Sequence, residues 1–532
     1  MTAQLAEPML RPKTIAIYGA SDDPKKNTGR PQRYLDAHGF QGTVYPINPN
    51  RERVQGRRAF KAIADIPDQV DHALILVPQS AVLMAIKDCA AAGVKVATIY
   101  TDGFAEAGVA GQREQQQVMA VAKQAGMRVI GPNSIGIVNF GSALTLSAIA
   151  SLEGVDIKAG STAVVSQSGS LIGSIMSRGS ARGLGFSTLV SVGNEADLSV
   201  ADIVDLLVDE PETQTILLFL EAISDPVKLG QAVRRAHAAD KPVVAYKLGR
   251  SSVGRDMAVA HTGAVAGSHA AAEAFFRHHG IRRVNMFETL FEIVPLLQYS
   301  APTSGKRVAV LTTTGGGAAI VVDRLGEAGI EITNPPQSVR DAAAHHGITL
   351  GQGPLIDLTM AGVRKGVYQD VLEAALRAPD IDLVLAVVGS SAQHHAELAV
   401  DGIVRAGSTN RPLAVFLTPE APEALSLLRD SGIAAFRTPE GCADAITTLL
   451  CTPAPTQMPA GLEVGRSAQV CDEGSTKSTT FDEVSSRRFL ESRGVGTHSY
   501  ALISETEMGI PSNMTFPLAP RRPRFCAEYP AR

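Results

Sequence analysis

Cysteine is scarce in this chain: Cys89, Cys442, Cys451, Cys471 and Cys526 are the five in 532 residues, and no two stand at CxxC spacing. That scarcity excludes a disulfide framework and a cysteine-based zinc site. Long apolar runs are missing as well, so no stretch has the length of a membrane-spanning helix. Positive charge is not in excess; the formal net charge of -4 gives no support for nucleic acid as the main partner. The first residues include Glu7 and Arg11 but no apolar core of a secretory signal, so a cytoplasmic protein is expected. The histidine pairs His278-His279, His345-His346 and His394-His395 lack a carboxylate or cysteine at ligand spacing, and no metal site is expected. What remains is ordinary for a globular protein, 45% hydrophobic and 19% charged, and long enough for three or four domains with their own cores.

Up to about residue 145, five apolar strand candidates (Thr14–Ala20, Thr43–Asn48, His72–Pro78, Val96–Thr101 and Arg128–Pro132) alternate with helical stretches at 32–38, 81–92 and 112–124. This alternation predicts a parallel sheet with helices on both faces. Ligands on such sheets bind beyond the carboxyl ends of the strands. Those ends carry Gly19-Ala20-Ser21, Pro49-Asn50, Val77-Pro78-Gln79-Ser80, Asp102-Gly103-Phe104 and Gly131-Pro132-Asn133-Ser134. NAD is the first candidate, and two absences argue against it. No GxGxxG follows Gly19, and the second strand ends in Asn48-Pro49-Asn50 where a ribose-binding acid is expected. A basic rim of Lys25, Lys26, Arg51, Arg53, Arg57 and Arg58 suits instead a nucleotide with a phosphate on its ribose.

A second alternation follows, with strands expected at Ser161–Gln167, Phe186–Gly193, Thr215–Glu221, Pro242–Gly249 and Ile281–Val284. The first of these runs into Ser166-Gln167-Ser168-Gly169-Ser170 and then a helix. A helix N-terminus presents unpaired N–H groups and the positive end of the macrodipole, so it favours an anion. His261 lies in Ala260-His261-Thr262-Gly263-Ala264, directly before an alanine-rich helical stretch. A histidine there can carry a phosphoryl group whose oxygens the N–H groups receive. Glu221 ends the apolar strand TILLFL, and a carboxylate near a histidine orients its ring and raises its basicity.

The motifs GASDDPKKNTGR, PINPN, VPQS, TDGFAE and GPNSIG, in this order, resemble the CoA-binding domain of the succinyl-CoA synthetase superfamily, and within it the NDP-forming acyl-CoA synthetases. The resemblance implies that Gly19, Ser21 and Lys25 face the CoA phosphates. It also implies that Pro49, Asn50, Val77 and Pro78 line the adenosine and pantetheine path, with Asn133 near the thiol. In the second domain it makes His261 the phosphorylated residue, Glu221 the family's glutamate, and Ser166, Ser168, Gly169, Thr262 and Gly263 the phosphate-binding set.

The third alternation (Arg307–Thr314, Ile330–Thr333, Leu383–Ser390, Pro412–Thr418, Ala434–Thr438) opens on AVLTTTGGGAAIVVDRL, which parallels AVVSQSGSLIGSIMSRG of the second. Two related units are therefore expected. The turn Gly315-Gly316-Gly317 suits either a phosphate or close helix packing, and PLIDLT (354–359) departs from the family's Asn-Pro-x-Asp pattern at Leu355 and Ile356.

The expected fold is α/β throughout: a Rossmann-like CoA-binding domain (1–145) and two flavodoxin-like, doubly wound domains (146–302 and 303–452). A linker (453–480) and an amphipathic helix with a glycine stop at 482–495 follow, the latter resembling the truncated start of an ATP-grasp domain (481–532). The expected function is acyl-CoA synthesis from a small carboxylic acid and CoA, with phosphate released. ATP, ADP and Mg would be engaged only through an ATP-grasp partner; the expected assembly is with that β-type subunit or as a homo-oligomer, and no nucleic acid or membrane is expected. The alternative is a catalytically incomplete CoA-binding or regulatory protein.

Overall fold

A computed structural model describes residues 2–153, 159–254, 257, 269–298, 305–407 and 411–456. They fall in one compact unit that runs to Thr456. His261, Thr262 and Gly263, and the expected ATP-grasp start, lie outside the described residues.

The first sheet contains β1 (Thr14–Tyr18), β2 (Thr43–Ile47), β5 (His72–Ile75), β6 (Val96–Ile99) and β7 (Arg128–Ile130), all parallel, in the order β2-β1-β5-β6-β7. Between β2 and β5, β3 (Arg53–Val54) and β4 (Arg57–Arg58) form a small antiparallel hairpin. Helices α2 (Arg30–Ala37), α3 (Gln79–Ala91) and α4 (Val109–Gln124) make the crossovers, and α1 (Thr2–Leu10) precedes the sheet. The strand order reverses at β1, which leaves a crevice between the carboxyl ends of β1 and β5.

The second sheet joins β8 (Gly136–Asn139), β9 (Leu144–Ser147), β10 (Ala159–Ser166), β11 (Phe186–Ser191), β12 (Thr215–Leu220), β13 (Val243–Lys247) and β14 (Arg282–Val284), in the order β14-β13-β12-β10-β11-β8-β9. Helices α5 (Gly169–Ser180), α6 (Val200–Val208) and α7 (Pro226–Ala238) cover it. Both faces of β12 are packed, so its sequence TILLFL is apolar at five of six positions, all but Thr215, and buried at all six. The β8–β9 hairpin pairs antiparallel with β11, so this sheet draws in residues read from the sequence as the end of the first domain. A hairpin has no helix between its strands, and βαβ alternation does not reveal it.

The third sheet repeats the order: β16 (Glu331–Ile332), β15 (Arg307–Thr312), β18 (Leu383–Val388), β19 (Leu413–Leu417) and β20 (Ala434–Phe436), with β17 (Leu355–Asp357) pairing the upper half of β15. In the second and third sheets the order reverses at the opening strand, β10 and β15. The α/β expectation holds in all three.

Polar contacts tie the sheets together. The Arg11 guanidinium donates to both Glu210 oxygens, at 2.6 and 3.2 Å, fixing the end of α1 behind α6. Asp444, on the helix Pro439–Cys451 of the third sheet, accepts from the backbone N–H of Asn285 (2.8 Å) and Met286 (2.9 Å) and from the Asn285 amide (2.9 Å).

Candidate functional site

The turn after β10 is built by its own hydroxyl. Ser166 is fully buried; its Oγ donates to the Ser168 carbonyl at 2.7 Å and accepts from the Ser168 N–H at 3.1 Å. That closes a tight turn and leaves Ser168 as the N-cap of α5, with extended backbone. The Ser168 side chain accepts no capping bond from the helix; its Oγ lies 3.5 Å from Ser170 Oγ. The leading N–H groups of α5 therefore lack a side-chain cap, and the macrodipole makes that end attractive to an anion.

Glu221 stands one residue beyond β12, at the neighbouring strand end, and is buried. Its backbone is held from both sides. The Gln167 Oε1 accepts from the N–H of Glu221 at 2.5 Å and of Ala222 at 3.0 Å. On the other side the buried Lys247 ammonium donates to the Glu221 carbonyl at 3.0 Å and to the Leu248 carbonyl at 2.9 Å. Burial pushes the Lys247 ammonium below the ordinary lysine value, Arg283 adds to this, and the Glu221 charge opposes it. The sequence reading singled out Ser166, Ser168, Gly169 and Glu221 and missed Gln167 and Lys247 as supports. Lysine closing the apolar strand VVAYK was the available signal, because a buried ammonium needs acceptors.

The other end of the Gln167 amide reaches Glu195. Its Nε2 donates to Glu195 Oε2 at 2.8 Å and to the Ala222 carbonyl at 3.0 Å. Glu195 is held in a left-handed conformation, φ 53°, by the Val200 N–H (2.6 Å) and the Ser224 hydroxyl (2.9 Å). Burial raises its carboxyl above the ordinary glutamate value, against the hydrogen bonds from Val200, Ser224 and Gln167.

From there the contacts cross into the first sheet. Asn194 donates from its amide to Glu106 and, at 3.1 Å, to Gln115. Its backbone N–H bonds the Pro132 carbonyl at 2.9 Å. Gly193 has φ 57°, and a Cβ there would run into the Pro132 carbonyl oxygen, so only glycine allows the two loops to touch. Asn133 follows directly, at φ 58°, a left-handed conformation that asparagine tolerates, with its N–H bonded to Thr101. The turn after β7 is thereby docked on the turn after β11.

At the switch point of the first sheet, Gly19 has φ 76°, and a Cβ would lie 2.9 Å from the Leu76 carbonyl oxygen. The loop beyond it folds on local bonds: the Ser21 Oγ accepts from Asp23 N–H (3.2 Å), Asp23 accepts from Lys25 N–H (3.0 Å), and Gln55 donates to the Ser21 and Gly29 carbonyls. Asn48 donates to the Ala20 carbonyl at 2.9 Å and accepts from Asn50 N–H at 3.0 Å, which seats Pro49 and Asn50 beside that loop. Asn27 reaches across to the Tyr100 hydroxyl, 3.0 Å, near the end of β6. Val77 accepts from Thr101 Oγ1 at 2.6 Å, and Pro78 caps α3. Lys25, Lys26, Arg51, Arg53 and Arg58 are exposed, whereas Arg57 pairs with Asp36. The residues expected to meet a nucleotide therefore occupy one edge of this sheet, with exposed cations along its rim.

In the third sheet Thr312 repeats Ser166: its Oγ1 donates to the Thr314 carbonyl and accepts from the Thr314 N–H, both at 2.9 Å. Gly317 is explained by packing, since a Cβ there would press into Thr418. Among the described residues no group of three or more histidine, cysteine, aspartate or glutamate side chains could hold a metal ion. No described helix is long and apolar enough to cross a membrane.

Comparison with known proteins agrees with this layout. Residues 13–139 match the family described as a CoA binding domain, and residues 159–297 match the succinyl-CoA ligase like flavodoxin domain. The α subunit of acetate–CoA ligase (ADP-forming) II from Pyrococcus furiosus is 32% identical over 447 residues, 82% of this chain and 96% of that protein. A 4-hydroxybutyrate–CoA ligase (ADP-forming) from Nitrosopumilus maritimus is 31% identical over 71% of this chain and 54% of its own length. The dinucleotide-forming acetyl-coenzyme A synthetase 1 of Candidatus Korarchaeum cryptofilum, solved with phosphate and ADP, superposes with a TM-score of 0.75 at 33% identity, covering 84% of this chain and 96% of that one.

Proposed function

This chain belongs to the NDP-forming acyl-CoA synthetase family and corresponds to its α-type portion, and from that membership we propose how its residues divide the reaction. A carboxylic acid and CoA become an acyl-CoA while ATP yields ADP and phosphate. The phosphoryl group arrives on His261 from ATP held, with its Mg, by an ATP-grasp partner. Transfer to the acid carboxylate gives an acyl phosphate and frees the imidazole. Attack of the CoA sulfur on the acyl carbon then forms the thioester and expels phosphate. Two easier transfers replace one difficult one.

The residues divide as follows. Glu221 orients the His261 ring and stabilises its cationic form. The N-terminus of α5 at Ser168 and Gly169, with Ser166 holding the turn, receives phosphoryl oxygens, and Thr262 and Gly263 do the same from the histidine's side. Gly19, Ser21 and Lys25 meet the CoA phosphates; Pro49, Asn50, Val77 and Pro78 line its path, and Asn133 stands by the thiol. One observation carries this reading. The Asn133 turn is docked on Gly193-Asn194-Glu195, and Glu195 is bonded through Gln167 to the backbone of Glu221. The expected thiol end and the expected phosphoryl site are thus joined by a short path of hydrogen bonds.

The test is incubation with labelled ATP, alone and with an ATP-grasp subunit, followed by intact mass and acid lability. Acid-labile phosphate that needs the partner and is lost in His261→Ala is the expected result. Glu221→Gln should slow its formation about 10²- to 10⁴-fold while CoA still binds. CoA binding with no label under either condition would replace this reading with that of a CoA-binding protein.

A further inference from the structure

The carboxylate of Glu221 is useful only if it is held in register with the mouth of α5, and the two belong to different strands. They meet at the switch point, where β10 and β12 are neighbours but the chain beyond them diverges. One side chain spans that gap. Gln167 lies in the Ser166–Ser168 turn, and its amide makes four hydrogen bonds, two as acceptor and two as donor. Both halves of the amide are engaged, so nothing in it is left free to rotate.

The direction of the amide is set by its partners. Glu195 Oε2 and the Ala222 carbonyl can only accept, so Nε2 must face them. Oε1 is then forced toward the N–H groups of Glu221 and Ala222. Glu195 in turn cannot swing away, because Val200 and Ser224 hold its two oxygens. We propose that Gln167 is a positioning residue for phosphoryl transfer: oriented by Glu195, it staples Glu221 to the anion-binding turn of α5. The role rests on the ligase reading above, and it is separate from contact with substrate. Lys247 completes the clamp from the carbonyl side of Glu221.

The test exploits the polarity of the pair. Gln167→Glu keeps the shape but sets one carboxylate against another across the present 2.8 Å contact. Misplacement of a reacting group by about 1 Å costs on the order of 10²-fold in rate, so phosphorylation of His261 in the reconstituted enzyme should fall by about that factor in kcat, with KM for CoA little changed. The exchanged pair Gln167→Glu with Glu195→Gln restores a donor facing an acceptor between these two side chains, while the Ala222 carbonyl still faces an oxygen, so recovery is partial. It should recover at least about tenfold of the loss. Gln167→Met, which removes the hydrogen bonds without adding charge, serves if the glutamate variant does not fold, and should show the same loss in kcat.

Full phosphorylation in Gln167→Glu or Gln167→Met overturns the proposal while leaving the ligase reading intact. So does an exchanged pair that recovers nothing, or a loss that appears only in KM for CoA. Absence of label in the unaltered protein with its partner defeats the ligase reading, and the positioning role falls with it.

Discussion

A buried neutral histidine shows how much a single residue can hold. His72 opens β5 and is fully buried, with Nδ1 3.2 Å from the Pro8 carbonyl and Nε2 2.8 Å from Thr98 Oγ1. The carbonyl can only accept, so Nδ1 carries the proton and Nε2 accepts from the threonine hydroxyl. Burial lowers its pKa to about 4 from an ordinary 6.5. The unfolded chain therefore takes up the proton first as pH falls. Stability is complete above about pH 6.5 and is lost progressively down to about 4, by roughly 3 kcal/mol in total. Urea unfolding between pH 7 and 4.5 should show this slope, and His72→Gln should flatten it by that amount. Equal slopes in the two proteins would place the acid sensitivity elsewhere.

Elements were more legible in the sequence than the joints between them. The parallel strands are apolar runs bounded by small residues, and all fifteen candidates have a counterpart strand, shortened at most by a few residues. The antiparallel hairpin β8–β9 was not legible because no helix separates its strands, and β17 because its three residues follow the glycine-rich run Gly351-Gln352-Gly353-Pro354. In the site, small and charged residues at strand ends were visible as motifs. Gln167 and Glu195 were not visible as a pair, since 28 residues separate them and only the fold brings them together. The same holds for Asp444 and the turn at Asn285, 159 residues apart. Asp444 accepts three hydrogen bonds there, two from backbone N–H groups. Asp444→Ala leaves those donors unpaired and should cost about 2–4 kcal/mol. Calorimetry should then show the third sheet melting ahead of the rest. A single transition at the original temperature would mean that apolar packing alone joins the two sheets.

For the whole molecule the decisive property is where charge sits rather than how much there is. The chain is net negative, at -4, yet the loops beyond β1 and β2 expose Lys25, Lys26 and Arg51 on the edge where CoA is proposed to lie. An overall negative field gives an anionic substrate no help at long range, so attraction must come from this local rim and be felt within about 10 Å at ordinary ionic strength. Two consequences separate this from binding by shape alone. CoA affinity should fall steadily as salt is raised. Dephospho-CoA, lacking the ribose phosphate, should bind more weakly and with a shallower salt dependence. Each exposed charge pair is worth about 0.2–1 kcal/mol, so replacing Lys25, Lys26 and Arg51 together by glutamine should weaken CoA about tenfold and remove most of the salt effect. NAD, with no ribose phosphate, should bind poorly to either protein. Titration calorimetry across a salt series measures all four quantities. Salt-independent CoA binding, unchanged in the triple variant, would move recognition away from the rim and into the backbone groups around Gly19.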